Sequence, residues 1–152
     1  MSDTVTQNSL NAGFLQAREA MLAYFRPVLN KWDITEQQWR IVRVLAEQGQ
    51  QDFHVLADKA CLLRPSLTGI LKRVEQAGLI ARRKPALDQR KVLLKLTAKG
   101  EKLYQEMCVE IDERQAVLAA DLGSGKLKEL QKLLQELKDV SDKRHNAGEQ
   151  SA

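Results

Sequence analysis

The sequence predicts a mainly α-helical protein with a minor β component. Apolar residues recur at helical spacing over most of the 152 residues. Only two short segments near the middle, both rich in Leu, Ile and Val, flank a polar turn in the manner of a β-hairpin. The length fits one domain, so we expect a single domain over residues 1–152.

Two helices open the chain. Residues 10–29 carry apolar side chains three and four positions apart, and Pro27 is expected to bend or end this helix. Thr35 followed by Gln38 has the pattern of a capping box, which predicts a second helix over residues 36–48. Apolar residues cover most of its circumference, so we expect it to be central and nearly enclosed.

Two shorter helices come next, joined by a four-residue turn. The first is predicted over residues 52–60 with Asp52 as its cap. The second is predicted to begin at Pro65, because proline is favoured at the first helical position, and to end at Gly78. Such a pair is a helix–turn–helix, whose second helix enters the major groove of DNA.

The predicted hairpin follows directly, with strands over residues 79–83 and 91–96, and a hairpin in this place is a wing. After it, Thr97 caps a helix that the glycines of residues 123–125 interrupt, and a second leucine stripe ends near Asp139. These helices offer more apolar surface than so small a winged domain needs, so we expect a dimerisation layer; an intramolecular bundle in a monomer is the alternative. The predicted parts are a DNA-binding lobe (35–97), dimerisation helices (9–31 and 98–140) and flexible tails (1–8 and 141–152).

Positive charge is concentrated in one segment. Residues 64–99 contain ten Lys or Arg and two acids, which leaves 14 cations and 18 acids in the rest of the chain. A basic block inside an otherwise acidic chain indicates a surface that binds a polyanion. The alternative is a solvated surface on which cations cluster by chance.

The second helix of the pair has the side chains of a recognition helix. Small hydroxyls and Gly69 let its backbone approach base edges, while Lys72 and Arg73 reach guanine acceptors or phosphates. Leu67 is expected in the core, although it is also placed to touch a thymine methyl. With the wing, the predicted DNA-binding residues are Arg64, Ser66, Thr68, Gly69, Lys72, Arg73, Arg83, Lys84, Asp88, Arg90 and Lys91.

Asp88 and Arg90 are expected at the wing tip. Two positions apart on a tight turn, the carboxylate is predicted to hold the guanidinium in one orientation, which suits a narrow, electronegative minor groove. A pair that only stabilises the turn is the alternative.

Several motifs together resemble one family. Residues 67–80 (LTGILKRVEQAGLI), residues 88–90 (DQR) and the hairpin end at residues 94–100 (LKLTAKG) resemble MarR-family winged-helix regulators. Residues 16–20, 25–27, 35–43 and 63–71 further resemble the subgroup that regulates homoprotocatechuate (4-hydroxyphenylacetate) degradation operons. A neighbour in that subgroup responds to fatty acids and controls efflux.

The resemblance implies a homodimeric repressor that leaves a pseudo-palindromic operator when a small phenolic acid enters a cleft between its two layers. Only the resemblance indicates repression, because the residues themselves predict DNA binding without distinguishing a repressor from an activator. The alternatives are the same fold responding to fatty acids or drugs, and a cysteine-based redox regulator.

Arg18 is the first candidate for binding such an acid. It lies in the apolar stripe, four residues after Phe14, where a cation needs a partner or a route to solvent. A ligand carboxylate, Glu19 or an acid of a second subunit would each supply the partner. Arg40 and Arg43 add cations, and Met21, Phe25 and Trp39 are expected to form apolar walls or, equally, plain core.

Other functions find less support. Cys61 and Cys108 have no metal-like spacing to His54 and His145, so we expect reduced thiols in a cytoplasmic protein and no metal. The sequence shows no phosphate loop, nucleophile elbow or apolar run near 18 residues, so no catalytic residue, cofactor or membrane partner is expected. Oxidation of Cys61 beside the turn, and a passive architectural role on DNA, remain as alternatives.

Overall fold

The structure, a computed structural model, describes residues 7–149. It confirms a mainly helical fold with a small antiparallel sheet. The chain falls into two compact units, one that ends at Glu113 and one that begins at Arg114. The elements are α1 (Gln7–Lys31), α2 (Glu36–Gln48), β1 (Gln51–Asp52), α3 (Phe53–Lys59), α4 (Arg64–Gln76), β2 (Ile80–Arg83), β3 (Leu93–Leu96), α5 (Ala98–Leu122) and α6 (Ser124–Glu149).

Helix α1 does not end at Pro27. It continues four residues further, to Lys31, with Val28 and Leu29 almost completely buried. Burying two large aliphatic side chains contributes several kcal/mol, about 1.5–3 each, which offsets the one hydrogen bond that proline removes.

Helix α2 is the centre of the first unit. Thr35 and Gln38 form the predicted capping box, and Gly49 ends the helix with a φ of 74°. Ile41, Val42 and Val44 are buried, as expected of a nearly enclosed helix. The core therefore surrounds α2, and both helices of the helix–turn–helix that follows pack on it.

The turn between α3 and α4 has a specific geometry. Asp52 caps α3 by accepting from the His54 N–H at 2.9 Å. At its other end, the Cys61 N–H donates to Asp58 O and the Leu62 N–H to Ala57 O, the hydrogen-bond pair of a Schellman cap. Cys61 therefore occupies the left-handed position, φ 52°, that glycine usually takes, at a cost of about 1 kcal/mol.

Helix α4 begins one residue earlier than predicted, so Pro65 is its second residue. Leu67 is fully buried, so the suggestion that it also touches a thymine methyl is wrong. Ile70, Leu71 and Val74 complete the buried face, and Gly78 ends the helix with a φ of 76°.

The hairpin of β2 and β3 is the predicted wing, with Ile80 opposite Leu96 and Arg83 opposite Leu93. β3 also pairs with the two-residue strand β1, so the sheet order is β1-β3-β2. β1 was not predicted, because two residues cannot show an alternation of apolar and polar side chains.

Thr97 caps α5 as predicted, its side-chain oxygen accepting from the Gly100 N–H at 3.1 Å. The interruption between α5 and α6 is Gly123 alone, with a φ of 100°. The predicted end of the last helix near Asp139 is wrong: α6 runs to Glu149, so residues 141–149, predicted as tail, are helical. Residues 1–6 and 150–152 of the predicted tails lie outside the described residues.

Candidate DNA interface and ligand cleft

The outward face of α4 carries every residue that the sequence assigned to it. Arg64, Ser66, Thr68, Lys72 and Arg73 are all exposed, opposite the buried leucine face. The Thr68 hydroxyl donates to the Arg64 carbonyl at 3.3 Å and keeps its lone pairs free.

Gly69 lies on the same outward face of α4. Because it has no side chain, the helix backbone is accessible at this position. A Cβ on Gly69 would meet no heavy atom of the described chain within 4 Å, so the fold itself does not require a glycine there. The helix thus presents cations, hydroxyls and bare backbone to whatever lies outside.

The wing adds a second exposed basic surface. Arg83, Lys84, Arg90 and Lys91 are exposed on it. Asp88 stabilises the tip in a different way from that predicted: its Oδ1 accepts from the Arg90 backbone N–H at 3.1 Å, and it forms no ion pair with the guanidinium in the described wing. A carboxylate two residues before an N–H closes an Asx turn, so the tip is shaped while the Arg90 side chain stays free.

Two cations of the basic segment serve the fold instead. Arg82 Nε lies 3.1 Å from Glu75 Oε1 and ties the wing to α4. Lys99 donates to the Ala77 carbonyl at 2.8 Å, at the C-terminal end of α4, where a cation also complements the helix dipole. Charge counting alone did not separate these two from the cations that face outward.

A cleft of about 600 Å³ opens beside the helix–turn–helix in the first unit. The beginning of α2, the facing side of α1 and the turn before α4 form its walls. It is lined by Leu15, Arg18, Glu19, Leu22, Arg26, Thr35, Glu36, Gln37, Arg40 and Cys61.

Arg18 has a partner that the sequence did not suggest. Its Nη2 lies 2.9 Å from Glu36 Oε2, so α2 supplies the counter-ion, while Glu19 pairs with Arg26. The other Glu36 oxygen, Oε1, lies 2.9 Å from Arg40 Nε. One carboxylate therefore holds two guanidinium groups at the wall of the cleft.

Arg40 also reaches the turn of the helix–turn–helix. Its Nη1 donates to the carbonyl oxygens of Ala60 at 2.9 Å and Cys61 at 3.0 Å. Its Nε–H, although near Glu36, has no well-angled acceptor among the described residues. The contact with Glu36 is thus an ion pair of poor hydrogen-bond geometry, and a buried donor is left unsatisfied.

The cleft contains two of the six residues predicted to bind an effector. Arg18 and Arg40 line the cleft, whereas Met21, Phe25, Trp39 and Arg43 are not part of its lining. Met21 and Arg43 are exposed and Phe25 is half-buried.

Trp39 is core, as the alternative interpretation expected. Only 8% of it is exposed, and it stacks on Tyr104 with ring centroids 5.6 Å apart. Burial, together with hydrogen bonding to Cys108 and Glu47, raises the pKa of the Tyr104 phenol, which stays neutral and donates to Glu47 at 3.1 Å.

The residues that sequence inspection missed are chiefly Glu36 and Cys61. Neither was among the predicted effector residues: Glu36 belongs to the polar strip of α2, and Cys61 was considered only as a thiol near the turn. Across residues 7–149, no three His, Cys, Asp or Glu side chains gather as a metal-ligand set, and no helix has the length and hydropathy to cross a membrane.

An exposed basic helix in a helix–turn–helix, followed by a basic wing, defines a winged helix–turn–helix DNA-binding protein. The model of the MarR family matches residues 34–92. Over 134 residues the chain is 56% identical to the HTH-type transcriptional regulator FarR of Neisseria gonorrhoeae, covering 88% of this chain and 92% of that one. It is 50% identical over 129 residues to the homoprotocatechuate degradative operon repressor of Escherichia coli, covering 85% and 87%.

A solved structure is consistent with this family. The crystal structure of NadR in complex with 4-hydroxyphenylacetate is similar with a TM-score of 0.81 and 54% identity, covering 88% of this chain and 98% of that chain. The chain belongs to the MarR family and is a transcriptional repressor, not an enzyme. Regulators of this family bind operator DNA, act as dimers and bind small-molecule effectors.

Proposed function

We propose that this protein is a homodimeric repressor that a small aromatic carboxylic acid releases from a pseudo-palindromic operator, and that it controls an aromatic-compound catabolic operon. The observation that carries the effector class is the arginine-lined cleft, in a chain 54% identical to NadR, whose structure contains 4-hydroxyphenylacetate. Because chromosomal operators lie in the cytoplasm, that is where we expect it to act.

Operator binding is supported by cations of α4 and the wing that are exposed and have no acidic partner among the described residues. The side chains of Lys72, Arg73 and Arg90 are exposed, and the described structure gives none of them an acidic partner. Unpaired cations on one surface attract phosphates and release counter-ions on binding. A two-fold dimer would place two such surfaces about one helical turn of DNA apart.

The effector half is supported by size and chemistry. A volume of about 600 Å³ suits a small ring-containing ligand, since ligand pockets measure roughly 300–1,000 Å³. Leu15 and Leu22 supply apolar wall, and the guanidinium groups of Arg18 and Arg40 supply counter-charge for a carboxylate. Of the six predicted effector residues, these two arginines carry the proposal.

Dimerisation is supported by apolar side chains that the chain leaves uncovered. In the first unit, Leu10, Phe14 and Leu15 of α1 are 41–69% exposed. In the second unit, α6 exposes a stripe at helical spacing, each residue 43–59% exposed: Leu130, Leu133, Leu134, Leu137 and Val140. A repeating apolar stripe on a soluble helix indicates a partner surface, which a second copy supplies.

A test by fluorescence anisotropy separates the alternatives. DNA from upstream of the protein's own gene is titrated with and without 4-hydroxyphenylacetate, 3,4-dihydroxyphenylacetate and hydroxycinnamates. We expect tight binding that one of these acids reverses. The uncharged isostere 4-hydroxyphenylacetamide is the matched control, and it should not reverse binding if a carboxylate–arginine contact is needed.

Three other results would point elsewhere. Reversal by long-chain fatty acids or drugs alone would favour the efflux alternative. Loss of binding with peroxide that Cys61→Ser abolishes would favour the redox alternative; the thiol is exposed and lies in the cleft, which is the observation in its support. Equal affinity for unrelated DNA would indicate an architectural protein.

Arg18→Ala tests the place of the effector. We expect it to blunt the response to the acid more than it weakens operator binding, because Arg18 lies at the cleft wall and, among the described residues, its ion pair is with Glu36. Dissociation of the dimer in this variant would instead make the arginine structural.

A further inference from the structure

We propose that Arg40 is the positioning residue that couples the cleft to the helix–turn–helix: an anion in the cleft displaces Glu36, and Arg40 then releases the carbonyl groups of Ala60 and Cys61. This inference rests on the proposed function, because it names how the same cleft would control DNA binding. The guanidinium group of Arg40 contacts both Glu36 at the cleft wall and the two carbonyl groups of the turn.

Arg40 joins the cleft wall to the turn of the helix–turn–helix. One edge of its guanidinium contacts Glu36, 2.9 Å away, and Nη1 donates to the two carbonyl groups of the turn at 2.9 and 3.0 Å. Glu36 in turn holds Arg18 of α1. A continuous set of polar contacts therefore runs from α1, across the cleft wall, to the turn that precedes the recognition helix.

The turn between α3 and α4 depends on Arg40 for two of its hydrogen bonds. Helix α3 leaves its terminal carbonyl groups without helical partners, and Arg40 satisfies two carbonyl groups beyond its last turn. Cys61 is held there at a φ of 52°, a conformation that L-residues with side chains disfavour. A turn that is strained and held from outside will shift when the holding group moves, and α4 begins only three residues later.

The contact between Arg40 and Glu36 is one that a ligand carboxylate can replace. The Arg40 Nε–H is buried, and no described residue gives it a well-angled acceptor although Glu36 Oε1 lies 2.9 Å away. A ligand carboxylate that offers better hydrogen-bond geometry to the two guanidinium groups replaces Glu36 at little electrostatic cost, because one anion is exchanged for another. Moving Arg40 toward the ligand lengthens its bonds to the turn, and the DNA-competent position of α4 loses its support.

The measurement is the coupling ratio, the operator Kd at saturating 4-hydroxyphenylacetate divided by the Kd without it. Allosteric ratios are typically about 5–150-fold, and we expect the natural protein to lie in that range. In Arg40→Gln we expect the ratio to fall below about twofold, with the free protein already binding operator as weakly as the ligand-bound natural protein. A purely structural role would weaken both states equally and leave the ratio unchanged.

Glu36→Gln makes the opposite prediction for the ligand. It keeps the side-chain size but removes the resident anion, so 4-hydroxyphenylacetate should bind about two- to fivefold more tightly, as judged by calorimetry, while the coupling ratio falls. Weaker binding would overturn the exchange step. Arg40→Lys, which keeps the charge but not the fork of donors, should show the same loss of coupling and covers the case in which Arg40→Gln does not fold.

Arg26→Gln is the matched control, because Arg26 lines the same cleft but its ion pair is with Glu19 of its own helix. Its ratio at saturation should equal that of the natural protein. If the natural protein responds to the acid and Arg40→Gln responds equally, the coupling role is refuted and the repressor function stands. If the natural protein responds to no acid, the coupling role of Arg40 and the proposed aromatic-acid effector are refuted together.

Discussion

Arg90→Ala is the sharpest test of the DNA interface. The exposed guanidinium of Arg90 stands at the tip of the wing, and Asp88 contacts only its backbone N–H. We therefore expect this side chain to contact phosphate or the minor groove directly. Removing it takes one charge-assisted hydrogen bond from each protomer of a dimer without touching the core.

Arg90→Ala should lower both the operator affinity and the salt dependence of binding. A hydrogen bond to a charged group contributes about 1.5 kcal/mol, so two lost bonds weaken operator binding by about 3 kcal/mol, roughly 150-fold. Each phosphate contact contributes about 0.9 to the slope of log K against log salt. Losing two lowers the slope by about 1.8, and the loss of affinity between 50 and 200 mM salt shrinks roughly 12-fold.

The assay is an anisotropy titration at several salt concentrations, with size exclusion to confirm an unchanged oligomer. Arg82→Ala is the matched control, since it removes the same charge from the same hairpin but from a side chain engaged by Glu75. We expect its slope to change by less than half as much. An Arg90→Ala protein with unchanged affinity and slope would refute a role for the wing tip in binding.

Gly100→Ala should destabilise the fold by about 2 kcal/mol or more in urea unfolding, because the added Cβ would lie 2.2 Å from the Leu79 carbonyl oxygen; an unchanged midpoint would contradict this. Cys61→Gly should raise stability by up to about 1 kcal/mol by relieving the left-handed residue, and a lower midpoint would mean that the thiol packs usefully. The pKa of Glu110 is lowered chiefly by a hydrogen bond from Lys31, so its contribution to stability is complete above the ordinary glutamate pKa and is lost as pH falls through the lowered value. The acid limb of stability against pH should therefore flatten in Glu110→Gln, and an identical limb would exclude the effect.

The helices and the wing were predictable because their signals are local. The Thr35 capping box joins residues three positions apart, and the buried face of α4 repeats at three and four. Where a local signal was weak, prediction failed. β1 is too short for a pattern. α6 continues to Glu149 although its apolar stripe ends earlier, because extending an existing helix adds one backbone hydrogen bond per residue and needs no apolar face.

The outward-facing residues of the recognition helix were likewise predictable, because burial of one helical face determines what the opposite face presents. The wing tip was only half predictable. Two residues at that spacing on a tight turn lie close together. Whether the Asp88 carboxylate contacts the backbone or the side chain of Arg90 depends on the turn geometry.

By itself, the sequence determined the order of the helices and of the hairpin that follows them, because caps, turn residues and side-chain spacing are local signals. It also shows directly that positive charge is concentrated in one segment. Tertiary structure alone decided the cleft. The Arg18–Glu36 pair and the bonds of Arg40 to Ala60 and Cys61 join residues 18 to 21 positions apart on different elements. Their meeting depends on the angles at which α1, α2 and α3 pack, and no periodicity along the chain records those angles.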